Sequence, residues 1–92
     1  MCSKRQNALL FTSVLSRATS LYRPDAVVCQ CGADCLSGDP LGGFNLSSRG
    51  LADCVSLVLE LDKPTVLLGG GGYNKTSAAI AWTAITARAL KV

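Results

Sequence analysis

Two residues in this chain of 92 have types and settings that support chemistry. Asp34 stands in the triplet GAD, directly after a short apolar run, and Tyr73 follows four glycines in the stretch LLGGGGYN. An aspartate in such a place can ligate a metal or act as a general base, although loop capping is the commoner role. A phenol at a ligand-binding edge can donate a hydrogen bond to a developing oxyanion.

The four consecutive glycines, residues 69–72, need a reason, because ordering glycine costs more backbone entropy than ordering any other residue. One or two would satisfy a tight strand-to-helix turn, so four favour a ligand or another backbone packed close by. Glycine-rich turns also bind phosphate, but the stretch lacks the Lys-Ser/Thr of a P-loop and does not match G-x-G-x-x-G. A nucleotide site is therefore a weak alternative.

The chain contains no histidine. A Ser-His-Asp or Cys-His catalytic unit, or a histidine-based zinc site, cannot be built from this chain alone. Five cysteines could suggest thiolate zinc, but they do not form two paired C-x(2–4)-C arms. Their odd number and apolar surroundings favour reduced thiols that pack as small hydrophobic residues in an intracellular protein. These are Cys2, Cys29, Cys31, Cys35 and Cys54.

The composition is 49% hydrophobic and only 16% charged, which is typical of the interior of something larger than one small domain. The net charge of +3 includes no basic cluster beyond Lys4-Arg5, so a nucleic-acid surface is unsupported. No apolar run is long enough to cross a bilayer. Residues 1–24 lack acidic side chains, as in a mitochondrial transit peptide, but a basic first helix is the favoured interpretation.

Hydrophobic spacing and turn residues predict helix, strand, helix, strand and helix in that order. The helices are predicted over residues 7–21, 49–61 and from Asn74 or Thr76 to about residue 90, and buried strands over 26–31 and 65–68. This order predicts an α/β fold with two parallel strands. Both strands then end at one edge, so Asp34 and Tyr73 should face one pocket. Asp39 is interpreted as a turn residue and Trp82 as helix core.

The segments AVVCQCGADCLSGDPLGGFNL, LLGGGGYN and AWT, in this order and separation, resemble the zinc-dependent histone deacetylases of class I. The resemblance covers residues 21–86 and implies a parallel-sheet, arginase/deacetylase-like fold. Residues 21–92 would be the C-terminal portion of the catalytic domain, and residues 1–20 an unmatched basic segment. Pro40, where most class I members have arginine, points to the type 8 subgroup. Ile80 and Ala84 depart from the arginine and the aromatic residue that usually flank the family's tryptophan.

The resemblance implies that Asp34 ligates the catalytic Zn²⁺ and that Tyr73 is catalytic, polarising the acetyl-lysine carbonyl and stabilising the oxyanion. It implies substrate-binding roles along the acyl-lysine tunnel for Gly70, Gly71, Gly72 and Leu41. The implied reaction is zinc-dependent hydrolysis of N-acetyl-lysine on histones or other proteins, in chromatin and transcription regulation. Co-repressor proteins would be partners, with no direct nucleic-acid or membrane binding. The implied location is the nucleus, with the cytoplasm as a second compartment.

The family's two adjacent catalytic histidines and its D-x-H zinc ligands have no counterpart here, so one of three expected ligands is present. We therefore expect the isolated chain to be an inactive fragment or truncated isoform of a deacetylase. The alternative is a non-catalytic interaction module derived from a deacetylase, which would bind a partner through a sheet edge and apolar helices.

Overall fold

A computed structural model describes residues 4–92, with side chains from residue 8 onward. It contains five elements: α1 (Lys4–Tyr22), β1 (Val27–Gln30), α2 (Ser48–Leu59), β2 (Thr65–Leu68) and α3 (Lys75–Leu90). The strands pair in parallel, with Val27 opposite Thr65 and Gln30 opposite Leu68. The predicted α/β class and order of elements are confirmed.

Side-chain caps set where the second and third helices begin. The hydroxyl of Ser47 accepts a hydrogen bond from the N–H of Gly50 at 3.0 Å, and α2 starts at the next residue. Asn74 accepts a hydrogen bond from the N–H of Ser77 at 3.1 Å and caps α3. Of the two predicted caps for this helix, the structure therefore selects Asn74 and not Thr76.

The core lies between the sheet and the helices α2 and α3. One apolar cluster comprises Ala33, Leu36, Leu46, Ala78 and Ala81, and the other comprises Cys31, Ala52, Val55 and Ile85. Trp82 packs against both clusters, and its Nε1 donates a hydrogen bond to the carbonyl oxygen of Cys31 at 2.7 Å. The helix-core prediction for Trp82 is confirmed, and its indole also ties α3 to the end of β1.

Each strand alternates half-buried and exposed residues. Val28, Val66 and Leu68 are 71%, 54% and 47% exposed, whereas Cys29 and Leu67 pack against the core. The prediction of strands buried on both faces is therefore wrong for one face. We call this face, formed by the side chains of Val28, Gln30, Val66 and Leu68, the open sheet face.

The first helix contacts α2. Leu9, Leu10 and Val14 are 63%, 57% and 65% exposed, while Phe11 and Leu15, four residues apart, are half-buried. The helix therefore faces its neighbour with a narrower stripe than its apolar content suggests. Within residues 4–92, no helix combines the length and apolar character needed to span a bilayer.

Candidate active site

The loops that follow β1 and β2 leave the sheet at the same edge, as parallel pairing requires. Backbone pairing continues beyond the strands. The N–H of Cys31 donates to the carbonyl oxygen of Leu68 at 2.7 Å, and the N–H of Ala33 donates to that of Gly71 at 2.6 Å. The loop that carries Asp34 is thereby held against the glycine tract.

Asp34 and Tyr73 both lie close to Gly71 at this edge. A Cβ added to Gly71 would lie 2.5 Å from Oδ2 of Asp34 and 3.2 Å from Cε2 of the Tyr73 ring. Any side chain at this position would thus intrude on the carboxylate and the phenol ring, which explains the glycine. Tyr73 is 52% exposed, so its ring borders open solvent.

The glycines on either side of Gly71 face the protein. A Cβ on Gly70 would approach the Cα of Gly32 to 3.0 Å, and one on Gly72 would approach the Cβ atoms of Ala33 and Ala78 to 3.1 and 3.2 Å. Both have positive φ, 156° and 150°, which residues with a side chain rarely adopt. Gly70 and Gly72 therefore allow close packing against neighbouring residues, whereas Gly71 leaves room for the Asp34 carboxylate and the Tyr73 ring.

Asp39 links the two loops. Its Oδ1 accepts hydrogen bonds from the N–H groups of Leu41 at 2.8 Å and Gly42 at 3.0 Å, which confirms its prediction as a turn residue. Its Oδ2 accepts the N–H of Tyr73 at 2.9 Å, across 34 residues of sequence. The Tyr73 N–H is the largest cause that holds the pKa of Asp39 below its ordinary value; burial opposes it, and the turn N–H groups add to it.

Sequence reasoning missed this second role of Asp39. The side chain is 8% exposed, although it belongs to a polar, glycine-rich loop. A buried carboxylate needs donors for both oxygens, and its own turn supplies donors to only one. The pattern GDP signals the turn, but no local pattern signals a partner on another loop.

The predicted tunnel residue Leu41 lies on the turn that Asp39 closes. Its side chain is 73% exposed. Its N–H donates to Oδ1 of Asp39, while the N–H of Tyr73 donates to Oδ2 of the same carboxylate. The next residue, Gly42, runs so close to Asp34 that a Cβ there would overlap the Asp34 carbonyl oxygen. The structure thus brings the backbone of this turn to the edge that carries Asp34 and Tyr73.

Asp34 suits the role of a single carboxylate ligand, because it is half-buried in the loop after β1 and its carboxylate lies next to Gly71, which has no side chain. Residues 4–92 contain no group of three His, Cys, Asp or Glu side chains that could hold a metal ion. Burial raises the pKa of the neighbouring Cys35 thiol above its ordinary value. Asp34 can therefore supply one ligand, and a complete zinc site needs further ligands from other residues.

The histone deacetylase domain family matches residues 1–89, and the chain therefore belongs to this family. It is 46% identical over 80 residues to histone deacetylase 8 of Danio rerio, covering 87% of this chain and 21% of that protein. It is 48% identical over 81 residues to histone deacetylase 1 of Homo sapiens, covering 88% of this chain and 17% of that protein. Histone deacetylase 19 of Arabidopsis thaliana is 49% identical over 84 residues, covering 91% of this chain and 17% of that protein.

The resemblance drawn from GAD, GDP and LLGGGGYN is thus confirmed, as is the deacetylase-like fold it implies. The chain spans about a fifth of the length of the curated relatives it matches. The matched range takes in residues 1–20, whereas the motifs lie within residues 21–92. The division of the chain at residue 20 stays a prediction.

Proposed function

We propose that this chain forms the part of a zinc-dependent lysine deacetylase site that carries one metal ligand and the catalytic tyrosine. The observation that supports this most directly is that the Asp34 carboxylate and the Tyr73 ring both lie next to the bare Cα of Gly71. Zinc, when bound by Asp34 and by ligands from outside this chain, would polarise the acyl carbonyl and activate a water.

The residues of this chain bind and orient the substrate. The Tyr73 phenol donates a hydrogen bond to the acyl oxygen as negative charge develops there. Asp39 fixes the backbone from which that phenol projects, through the 2.9 Å hydrogen bond to the Tyr73 N–H. Leu41 and the glycine tract 70–72 contribute apolar wall and space for the acyl-lysine chain. General acid–base groups come from elsewhere, because the chain has no histidine, and we expect the isolated chain to be inactive.

The proposed substrates are acetylated lysines of histones or other proteins. Membership of the histone deacetylase family and the names of the similar proteins support this choice. On the same basis we propose a role in chromatin and transcription regulation, co-repressor proteins as partners, and a nuclear location with the cytoplasm as a second compartment. Residues 21–92 would be the C-terminal portion of the catalytic domain.

The test captures the endogenous protein with an antibody against residues 26–90 and measures its mass and its hydrolysis of an acetyl-lysine peptide. We expect a species several times heavier than the 9.5 kDa of this chain. Its activity should be removed by a zinc chelator and restored by added Zn²⁺. A product of 92 residues without activity would show that the deacetylase relationship is one of ancestry alone.

Tyr73→Phe, introduced into the full-length active protein that the capture identifies, tests the role of the phenol. We expect kcat to fall by about 10²–10³-fold with little change in KM, because the lost hydrogen bond forms mainly in the transition state. Tyr22→Phe is the matched control, since it removes the other phenol of this chain, which is 82% exposed at the end of α1. Full activity of the Tyr73→Phe protein would exclude the oxyanion role.

A second candidate function, the non-catalytic interaction module, is favoured by the open sheet face. Exposed apolar side chains on a parallel sheet mark surfaces that bind other protein segments. This function would replace the first if the endogenous product had 92 residues and a purified partner bound it with defined stoichiometry. Val66→Lys, which places a charge on the open sheet face, should then abolish that binding.

A further inference from the structure

Cys29 and Cys31 lie side by side, apart from the Asp34–Tyr73 edge. Alternate residues of a strand point to the same side, and the two Sγ atoms are 3.9 Å apart. The Cys31 thiol also lies 3.6 Å from the carbonyl oxygen of Cys29. Neither thiol has a role in the proposed deacetylation, so the pair is open to a different chemistry.

Backbone geometry lets this pair form a disulfide with little movement. Residues i and i+2 of an extended strand have Cα atoms about 6.6 Å apart, and disulfides accept Cα separations of about 4.4–6.8 Å. Cys31 lies one residue beyond the end of β1, where pairing with β2 continues through a single hydrogen bond to Leu68. A small rotation at Cys31 can therefore bring the two sulfur atoms to bonding distance.

The thiol pair borders both solvent and a cavity. Cys29 is partly exposed. Cys31 is buried, but it lines a cavity of about 280 Å³ together with Leu67, Trp82 and Ile85. This volume accommodates a molecule as small as hydrogen peroxide.

We propose that Cys29 and Cys31 form a site of reversible oxidation, which hydrogen peroxide closes to an intramolecular disulfide and a small thiol such as glutathione reopens. This inference rests on the thiol pair and its cavity and is independent of the deacetylase proposal.

The reaction proceeds in two balanced steps. Hydrogen peroxide transfers one oxygen atom to the Cys29 sulfur, so that an S–O bond forms, the O–O bond breaks and one water leaves. The Cys31 sulfur then attacks the sulfenic acid, so that the S–S bond forms and the S–O bond breaks, while the proton from the Cys31 S–H joins the departing hydroxide as a second water. Two thiols have then lost two electrons and two protons to the peroxide.

Burial and the adjacent Cys29 raise the pKa of Cys31 to about 11. Cys31 is therefore protonated at neutral pH and reacts slowly with peroxide. The more exposed Cys29 is the sulfur that is oxidised first, and Cys31 resolves the sulfenic acid at contact distance.

Closure of the disulfide should be visible at Trp82. The carbonyl oxygen of Cys31 accepts the indole N–H at 2.7 Å, so rotation at Cys31 moves the indole's hydrogen-bond partner. Trp82 is the only tryptophan of the chain, and its emission reports this contact without interference.

The test treats the 92-residue chain with hydrogen peroxide, blocks remaining thiols, and fragments the tryptic peptide that ends at Arg49. We expect this peptide to carry a blocking group on Cys35 alone, to have two hydrogen atoms fewer at Cys29 and Cys31 than the dithiol, and to give no fragments from cleavage between residues 29 and 31. Trp82 emission should fall, and dithiothreitol should restore both signals. Closure should be faster in buffer than in denaturant, because the fold holds the sulfur atoms in contact.

Matched variants separate this pair from its neighbours. Cys29→Ser, Cys29→Ala and Cys31→Ser should each abolish the bridge, with retention of helix checked by circular dichroism, whereas Cys35→Ala should leave it intact. A bridge to Cys35, oxidation of Cys29 without a bridge, or closure no faster than in denaturant would overturn the proposal. None of these outcomes bears on the Tyr73→Phe experiment, which reads out acetyl-lysine hydrolysis.

Discussion

At the scale of single residues, Asp39 connects parts of the chain that have no local relationship. Its carboxylate accepts N–H groups from its own turn and from Tyr73, and hydrogen bonds to a charged acceptor are about twice as strong as neutral ones. The turn was predictable because Asp between Gly and Pro, as in GDP, signals it. The bond to Tyr73 was not, because it exists only after β1 and β2 have paired.

We expect Asp39→Asn to lower the melting temperature at neutral pH, since an amide cannot accept hydrogen bonds on both sides. The folded pKa lies below the ordinary value of 3.8, so the carboxylate's stabilisation is complete above that value and disappears as pH falls through the lower, folded pKa. Thermal unfolding from neutral pH downward should therefore show the two proteins converging in acid. Asp25→Asn, at an exposed aspartate before β1, is the control and should track the wild type.

Gly42 and Gly43 are adjacent in the turn, but only one of them is close to other backbone. A Cβ on Gly42 would overlap the backbone carbonyl oxygen of Asp34, whereas one on Gly43 would meet nothing within 4 Å. Gly42→Ala should lower the free energy of unfolding by about 1–3 kcal/mol, because backbone must shift to make room. Gly43→Ala should stay within about 0.5 kcal/mol of the wild type. Urea unfolding followed by circular dichroism compares them, and equal losses would contradict the close approach of the turn to Asp34.

At the scale of elements, an apolar run predicts where a strand lies but not which of its faces is covered. Hydrophobic spacing and punctuation by Pro, Gly and Asn located the helices and strands and the parallel pairing, because these signals are local. The segments VVCQ and TVLL are apolar at most positions, so no alternation marks which face is covered. Which face is covered depends on where α2 and α3 pack, and that is a property of the assembled layers.

Substitution by threonine should therefore destabilise one residue of β2 and leave its neighbour nearly unaffected. Leu67 packs against the core, and Leu67→Thr should reduce the free energy of unfolding by about 1–3 kcal/mol through lost burial and a hydroxyl among apolar neighbours. Val66 is 54% exposed on the open sheet face, and Val66→Thr keeps a β-branched residue there, so we expect a change within about 0.5 kcal/mol. Similar losses for both would mean that the open sheet face is covered in the folded chain.

At the scale of the whole molecule, the isolated chain should associate with itself. It combines an apolar open sheet face with strands whose outer edges are unpaired within residues 4–92. Sedimentation velocity should show the mean mass rising with protein concentration, and the double variant Val28→Thr/Val66→Thr should shift this rise to higher concentration. A monomer at every concentration would show that the open sheet face does not drive association.

The continuation of backbone pairing past β1 and β2 also has a kinetic consequence. Asp34 and Tyr73 approach each other only when the strands pair across the helical crossover, and closing such a loop is slower than forming any of the helices. We infer that the helices form early in folding and the site forms late. The same long-range closure makes the site sensitive to fluctuation, since any opening that separates the two strands also separates the carboxylate from the phenol, even while every helix stays folded.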